Sequence, residues 1–189
     1  MPEEIEAKVC MTGPDEFRRL MDRRGSAPEG TVRELNRLFD TPEGRLRAAG
    51  SALRIREEFD PETGRPLRAL VTLKGPRAPG LIKRRPEDET EVASAAALAA
   101  ILEGLGLREC FRYEKRRTAW HAGGCEVTLD ELPHLGWFVE IEGPTEETVR
   151  AALAELGLAA EPLVPQSYVS LLWEHLESKG LDPRRAVFT

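Results

Sequence analysis

Apolar and charged residues alternate one by one along much of this chain, and a period of two is the mark of half-buried β-strands. Near the start, Glu4, Glu6 and Lys8 share one parity while Ile5, Ala7 and Val9 share the other. A strand here carries two carboxylates and an ammonium on a single face. The pattern returns seven times, and strands are expected over 32–40, 51–59, 67–74, 81–92, 108–120, 125–130 and 137–142. Several junctions have reversal chemistry, notably Asp60-Pro61-Glu62-Thr63-Gly64, Gly123-Gly124 and the Pro133 to Gly136 stretch. The sheet should therefore be chiefly antiparallel. Thr41-Pro42-Glu43-Gly44 reads as a turn after the second strand, and Pro86 predicts an edge position or a bulge in the fifth.

Helical spacing is confined to four segments. Asp15 to Arg24 places Phe17, Leu20 and Met21 on one side before Gly25; Ser94 to Leu105 is rich in alanine and leucine behind a serine cap. A third helix starts at Pro144-Thr145 and runs to about Leu156, and a fourth covers Ser167 to Ser178. Residues 179–189 show no periodicity and are expected to be a mobile tail on a single domain spanning 1–178.

The charged parity gathers both signs. Its bases are Lys8, Arg54, Arg56, Lys74, Lys83, Arg85, Lys115 and Arg117; its acids are Glu4, Glu6, Glu87, Glu89, Glu91, Asp130, Glu140 and Glu142. A solvated sheet face is the plain reading, but such a face favours Thr, Ser, Gln and scattered Lys over Arg and Glu on nearly every strand. Eight strands also suffice to close a barrel with room for one small ligand. The expected fold class is thus α+β: a closed eight-stranded antiparallel β-barrel, charges inward, with helices packed on the outside. An interior holding both signs suits a polyanion gripped by the bases, with divalent metal between it and the acids. A polyphosphate chelated to Mg²⁺ or Mn²⁺ meets that description. So many bases in one cavity also predict mutual repulsion without ligand, so that removing Arg54 or Lys115 should leave the empty protein no less stable.

Composition narrows the rest. The chain has 189 residues, 41% hydrophobic, enough for one core. A net charge of −6 argues against a surface that coats nucleic acid. Cys10, Cys110 and Cys125 lack CxxC spacing, which points to reduced thiols and not to a disulfide frame or zinc site. The acidic start lacks a signal-peptide core and no apolar run suffices to span a bilayer. The expectation is a cytoplasmic protein, monomer or homodimer, with a small-molecule partner and neither nucleic acid nor membrane.

Seven segments in order resemble the CYTH superfamily, the triphosphate tunnel metalloenzymes, which include class IV adenylyl cyclases and thiamine triphosphatases. They are the E-x-E-x-K of Glu4, Glu6 and Lys8; Leu38-Phe39-Asp40-Thr41-Pro42; Ala52-Leu53-Arg54-Ile55-Arg56; and Thr72-Leu73-Lys74-Gly75-Pro76. Glu114 to Arg117, Thr128-Leu129-Asp130 with Phe138 to Glu142, and Gln166 to Leu172 complete the match. The resemblance implies a tunnel in which Glu4, Glu6 and Glu140 hold metal, with Asp130 either a further ligand or the orienter of a lysine. It implies that Lys8, Arg54, Arg56, Lys74, Lys83, Arg85, Lys115 and Arg117 grip phosphates, Arg56 having the alternative of a wall salt bridge. Glu4, Glu6, Lys8 and Lys115 would carry the chemistry. Tyr113, Trp137 and Tyr168 are read as packing residues. The implied activity is metal-dependent hydrolysis of inorganic triphosphate, thiamine triphosphate or a nucleoside triphosphate. The alternatives are cyclisation of ATP to cyclic AMP and pyrophosphate, and a non-catalytic nucleotide or polyphosphate sensor. Hydrolysis needs only the tunnel, whereas a cyclase also needs an adenine pocket.

Overall fold

The computed structural model describes residues 2–189. Eight antiparallel strands form one sheet: β1 (Glu3–Met11), β2 (Gly30–Asp40), β3 (Ala52–Phe59), β4 (Pro66–Lys74), β5 (Lys83–Glu91), β6 (Arg108–Ala122), β7 (Cys125–Leu132) and β8 (Gly136–Glu142). Their order is β2-β3-β4-β5-β1-β8-β7-β6, and pairing of β2 with β6 closes the ring. Closure forces the two parities apart. Ile5, Ala7, Val9, Val127, Leu129, Val139 and Ile141 face outward and are buried beneath helices; the charged parity faces in.

The helices α1 (Pro14–Arg23) and α4 (Glu146–Glu155) cover that first apolar face with Phe17, Met21, Val149 and Leu153. Helix α3 (Ala95–Gly104) covers Phe39 and Ile55 through Ala95, Ala99 and Leu102. Helix α5 (Tyr168–Ser178) packs on Phe111, Tyr113 and Phe138. Those three share the inward parity of Lys115 and Glu140, so α5 lies across one end of the barrel. Ser94 caps α3 as the sequence suggests, and Thr145 and Ser167 do the same for α4 and α5: each accepts a backbone N–H three residues on, at 3.1 Å.

Three local features differ from expectation. The turn after β2 is followed by a short helix, α2 (Arg45–Ala48). Asp40 builds it: its carboxylate accepts from Thr41 N at 2.7 Å, Leu46 N at 2.8 Å and Arg47 N at 3.0 Å. Gly44 supplies the left-handed residue this reversal needs, at φ 73°. Pro86 causes no bulge: β5 pairs in one register with β1 through Glu3↔Pro86 and with β4 through Lys74↔Glu87. The carbonyl of Pro86 faces Gly75 N, 2.8 Å away and just past the end of β4, so its missing N–H falls where that strand has stopped.

The expected mobile tail is the third difference. Residues 185–186 form β9 (Arg185–Ala186), parallel to β6 at Arg112 and Tyr113. That stretch of β6 extends beyond the residues it pairs with on β7, leaving an open edge. Ala186 is fully buried there, Phe188 N donates to Glu114 at 3.1 Å, and the Arg116 guanidinium lies 4.1 Å from the Phe188 ring centre. Two anchor residues without periodicity leave no sequence pattern.

Candidate active site

The inward side chains enclose a cavity of about 1280 Å³, lined by all the predicted bases and by Glu4, Glu6, Glu34, Glu58, Glu87, Glu89, Glu140 and Glu142. The unbroken register through Pro86 keeps Lys83, Arg85, Glu87 and Glu89 on this inner face.

At one side of the tunnel, Glu4, Glu6 and Glu142 each present a carboxylate oxygen within 4.8 Å of the others. Strand register produces this triad: Glu142 lies directly across from Glu6, whereas Glu140 lies across from Lys8. The resemblance implied Glu140 as a metal ligand; in the structure Glu142 is the residue that clusters with Glu4 and Glu6, while Glu140 meets Lys8 at 3.3 Å and Arg117 at 2.6 Å. Partial desolvation, followed by the charges of Glu4 and Glu6, pushes the Glu142 carboxyl up to about 7 although its side chain still reaches solvent. Glu4 stays ionised below the usual range; burial opposes this and Lys74 and Lys83 overcome it. Its Oε2 is buried with no hydrogen-bond donor. Crowded carboxylates with a spare oxygen fit a hard divalent cation.

Asp130, the further candidate ligand, is surrounded by donors. It is fully buried, and Lys115 Nζ at 3.3 Å, Arg117 Nε at 2.7 Å and the Tyr168 hydroxyl at 2.9 Å occupy its oxygens. This arrangement supports the alternative in which it orients bases. Tyr168 therefore does more than pack: besides that hydrogen bond, its ring lies 4.0 Å from Lys8 Nζ. Lys8 in turn donates to Gln166 O at 2.9 Å, tying β1 to the start of α5.

The bases are not crowded against one another as expected. Lys74 meets Glu4 at 2.6 Å and Glu87 at 2.7 Å; Lys83 meets Glu6 at 2.5 Å. Arg54 and Arg56 share Glu89 at 3.4 and 2.9 Å, so Arg56 is both a wall ion pair and a cavity-lining base. Arg85 instead donates to the carbonyl of Gly75 at 2.6 Å. Interleaved signs nearly neutralise the tunnel lining. Buried donors nevertheless remain: among the described residues Arg54 Nε and Arg56 Nε make no hydrogen bond, although Glu58 Oε1 lies 3.7 Å from Arg56 Nε.

Glu34 was missed. The β2 pattern shows it only as one polar residue among several, yet it is fully buried and flanked by Arg56, Lys115 and Arg117 at 3.5–3.8 Å. Knowing that Lys115 lies across from it on β6 would have exposed the pair.

A pH response follows from these pairs. Burial opposes ionisation of Glu34 and Glu89, but Lys115 and Arg56 for the first and Arg56 for the second hold both below the usual glutamate value of 4.5. A depressed folded value contributes stability above 4.5 that is lost as pH falls. The melting temperature of metal-free protein should drop between pH 5 and 3 by roughly 5 °C or more, as expected for the loss of about 2 kcal/mol from a chain this size. A flat profile measured by circular dichroism would contradict these pairings.

Comparison with known proteins places this geometry. The CYTH domain model matches residues 2–168. The chain is 29% identical over 152 residues to adenylate cyclase CyaB of Aeromonas hydrophila, covering 76% of this chain and 74% of that protein. Among solved structures, a Pyrococcus horikoshii protein is 27% identical with a TM-score of 0.74, over 90% of this chain and 98% of that one. A Hippeastrum protein described as having dominant triphosphatase activity shares the fold at 21% identity, with a TM-score of 0.68 over 95% and 97%.

Proposed function

The chain belongs to the CYTH domain family, and on that footing we propose that it is a divalent-metal-dependent enzyme that binds a triphosphate in the barrel and hydrolyses its terminal phosphoryl group. The observation that carries this reading is the sharing of one cavity by a carboxylate triad and a set of bases in which, among the described residues, the buried Arg54 Nε makes no hydrogen bond and Arg56 Nε has only Glu58 Oε1, 3.7 Å away. Unfilled buried donors are costly unless a ligand supplies acceptors, and phosphate oxygens are suitable acceptors. Glu4, Glu6 and Glu142 would hold Mg²⁺ or Mn²⁺, which would supply charge neutralisation to the bound phosphates. Lys8, Arg54, Arg56, Lys115 and Arg117 bind and orient the chain of phosphates. Lys74 and Lys83 keep Glu4 ionised, and Lys83 holds Glu6 in position. Inorganic triphosphate, thiamine triphosphate and nucleoside triphosphates all belong to this ligand class. The near neutrality of the tunnel lining supports metal dependence, because a bare polyanion gains little net attraction. The site of action we assign is the cytoplasm.

A second reading has one observation in its favour: the Aeromonas relative is named an adenylate cyclase. In that reaction a ribose hydroxyl attacks the α-phosphorus and pyrophosphate leaves. A pure sensor reading is disfavoured by the carboxylate triad, which anion binding alone does not need.

Thermal shift tests the ligand class. With Mg²⁺ present, tripolyphosphate at about a hundred times its Kd should raise the melting temperature by roughly 5–10 °C. Orthophosphate spans fewer bases and should raise it much less. Equal shifts for the two ligands would overturn the assignment.

A further inference from the structure

Glu34 is fully buried yet lines the cavity, and no role described above uses it. Its Oε2 accepts from Asn36 Nδ2 at 3.1 Å and lies 3.5 Å from Lys115 Nζ. Among the described residues its Oε1 has no hydrogen-bond donor, although Arg56 Nη1 lies at 3.5 Å and Arg117 Nε at 3.8 Å. The neighbouring acids differ. Asp130 takes four hydrogen bonds from three residues, Glu140 is engaged by Lys8 and Arg117, and both oxygens of Glu89 accept from Arg56. One carboxylate oxygen is therefore left bare amid the bases that grip phosphate. A polyphosphate brings acceptors, which answer the arginines but cannot answer Oε1. The missing partner has to be a donor, and the small donor that the reaction itself brings is water.

We propose that Glu34 is a catalytic residue whose free Oε1 accepts a hydrogen bond from the attacking water and aims it at the phosphoryl group held by Arg56, Lys115 and Arg117. This rests on the hydrolytic reading given above. Burial opposes the charge on Glu34, but Lys115, Arg56 and Arg117 hold its carboxyl well below the usual range. Such a group orients water without retaining its proton. In the step, the water oxygen forms a bond to the terminal phosphorus while the bridging P–O bond breaks, and the departing diphosphate takes the electron pair. One hydrogen of the water stays on the new phosphate and the other passes as a proton to solvent. Asn36, bonded to the opposite oxygen, fixes the carboxylate plane.

The test compares wild type, Glu34→Ala and Glu34→Gln with Mg²⁺ and tripolyphosphate. It measures kcat from released phosphate and Kd by calorimetry at short times or at low temperature. Glu34→Ala should lower kcat by about 100-fold, and Glu34→Gln, a weaker acceptor of the same shape, by about 10-fold. Kd should stay within about threefold of wild type or tighten, because an anion beside the phosphates has been removed. Glu34→Gln keeps the test sound if the alanine variant does not fold. An unchanged kcat, or a Kd that weakens as much as kcat falls, overturns the proposal, the second result marking a group that only positions the bases. Absence of turnover in wild type would overturn the hydrolytic reading and this inference with it. Wild-type turnover matched by Glu34→Gln would overturn this inference alone.

Discussion

Glu4→Gln and Glu6→Gln should each lower metal-dependent turnover of a triphosphate by about 100-fold, equivalent to ~2.7 kcal/mol at 1.36 kcal/mol per decade, while leaving the fold intact. Either change removes one carboxylate from the group of oxygens within 4.8 Å. Stability is protected because each lysine keeps a second partner. Without the Glu4 charge, Lys74 still meets Glu87 at 2.7 Å and Lys83 still meets Glu6. Without Glu6, Lys83 still lies 3.4 Å from Glu4. Since the defect lies in metal retention, excess Mn²⁺ should recover part of the lost rate. A titration of activity against metal concentration is decisive. Superimposable curves for wild type and both variants would refute the triad as the metal site.

The largest stability loss is expected from Arg117→Ala. Among the described residues its guanidinium is the one group that meets Asp130 and Glu140 together, each at 2.6 Å, beside a fully buried aspartate. Removing one partner of a buried ion pair leaves uncompensated charge and costs about 3–5 kcal/mol. For a chain of this length that corresponds to a melting temperature lower by roughly 6–20 °C. Lys115 and Tyr168 still serve Asp130, and Lys8 still serves Glu140, which favours the lower part of that range. A melting curve of metal-free protein measures it. An unchanged or raised midpoint would restore the view that the tunnel bases mainly repel one another.

That view came from the sequence, and its failure shows where sequence reading stops. Alternation exposed the two faces of every strand because a side chain's face depends only on position along its own strand. Barrel closure and the inward charges were legible for that reason. Pairing across strands is a different matter. Whether Glu140 or Glu142 joins Glu4 and Glu6 depends on which residue lies opposite Glu6, and register is a tertiary property. The balance of charge around Lys115 likewise depends on Glu34 arriving from β2 and Asp130 from β7. Strand β9 was invisible because two residues filling an exposed edge carry no period. Pro86 misled because its effect depends on where the neighbouring strand ends.

The most direct measurement is product analysis. Purified protein is incubated with Mg²⁺ or Mn²⁺ and tripolyphosphate, thiamine triphosphate or ATP, and phosphate, pyrophosphate and cyclic AMP are separated and counted. Hydrolysis at the terminal phosphoryl group predicts phosphate released one for one with the diphosphate product, no cyclic AMP, and no turnover once the metal is chelated. Cyclic AMP and pyrophosphate formed in equal amounts from ATP, without phosphate, would contradict it.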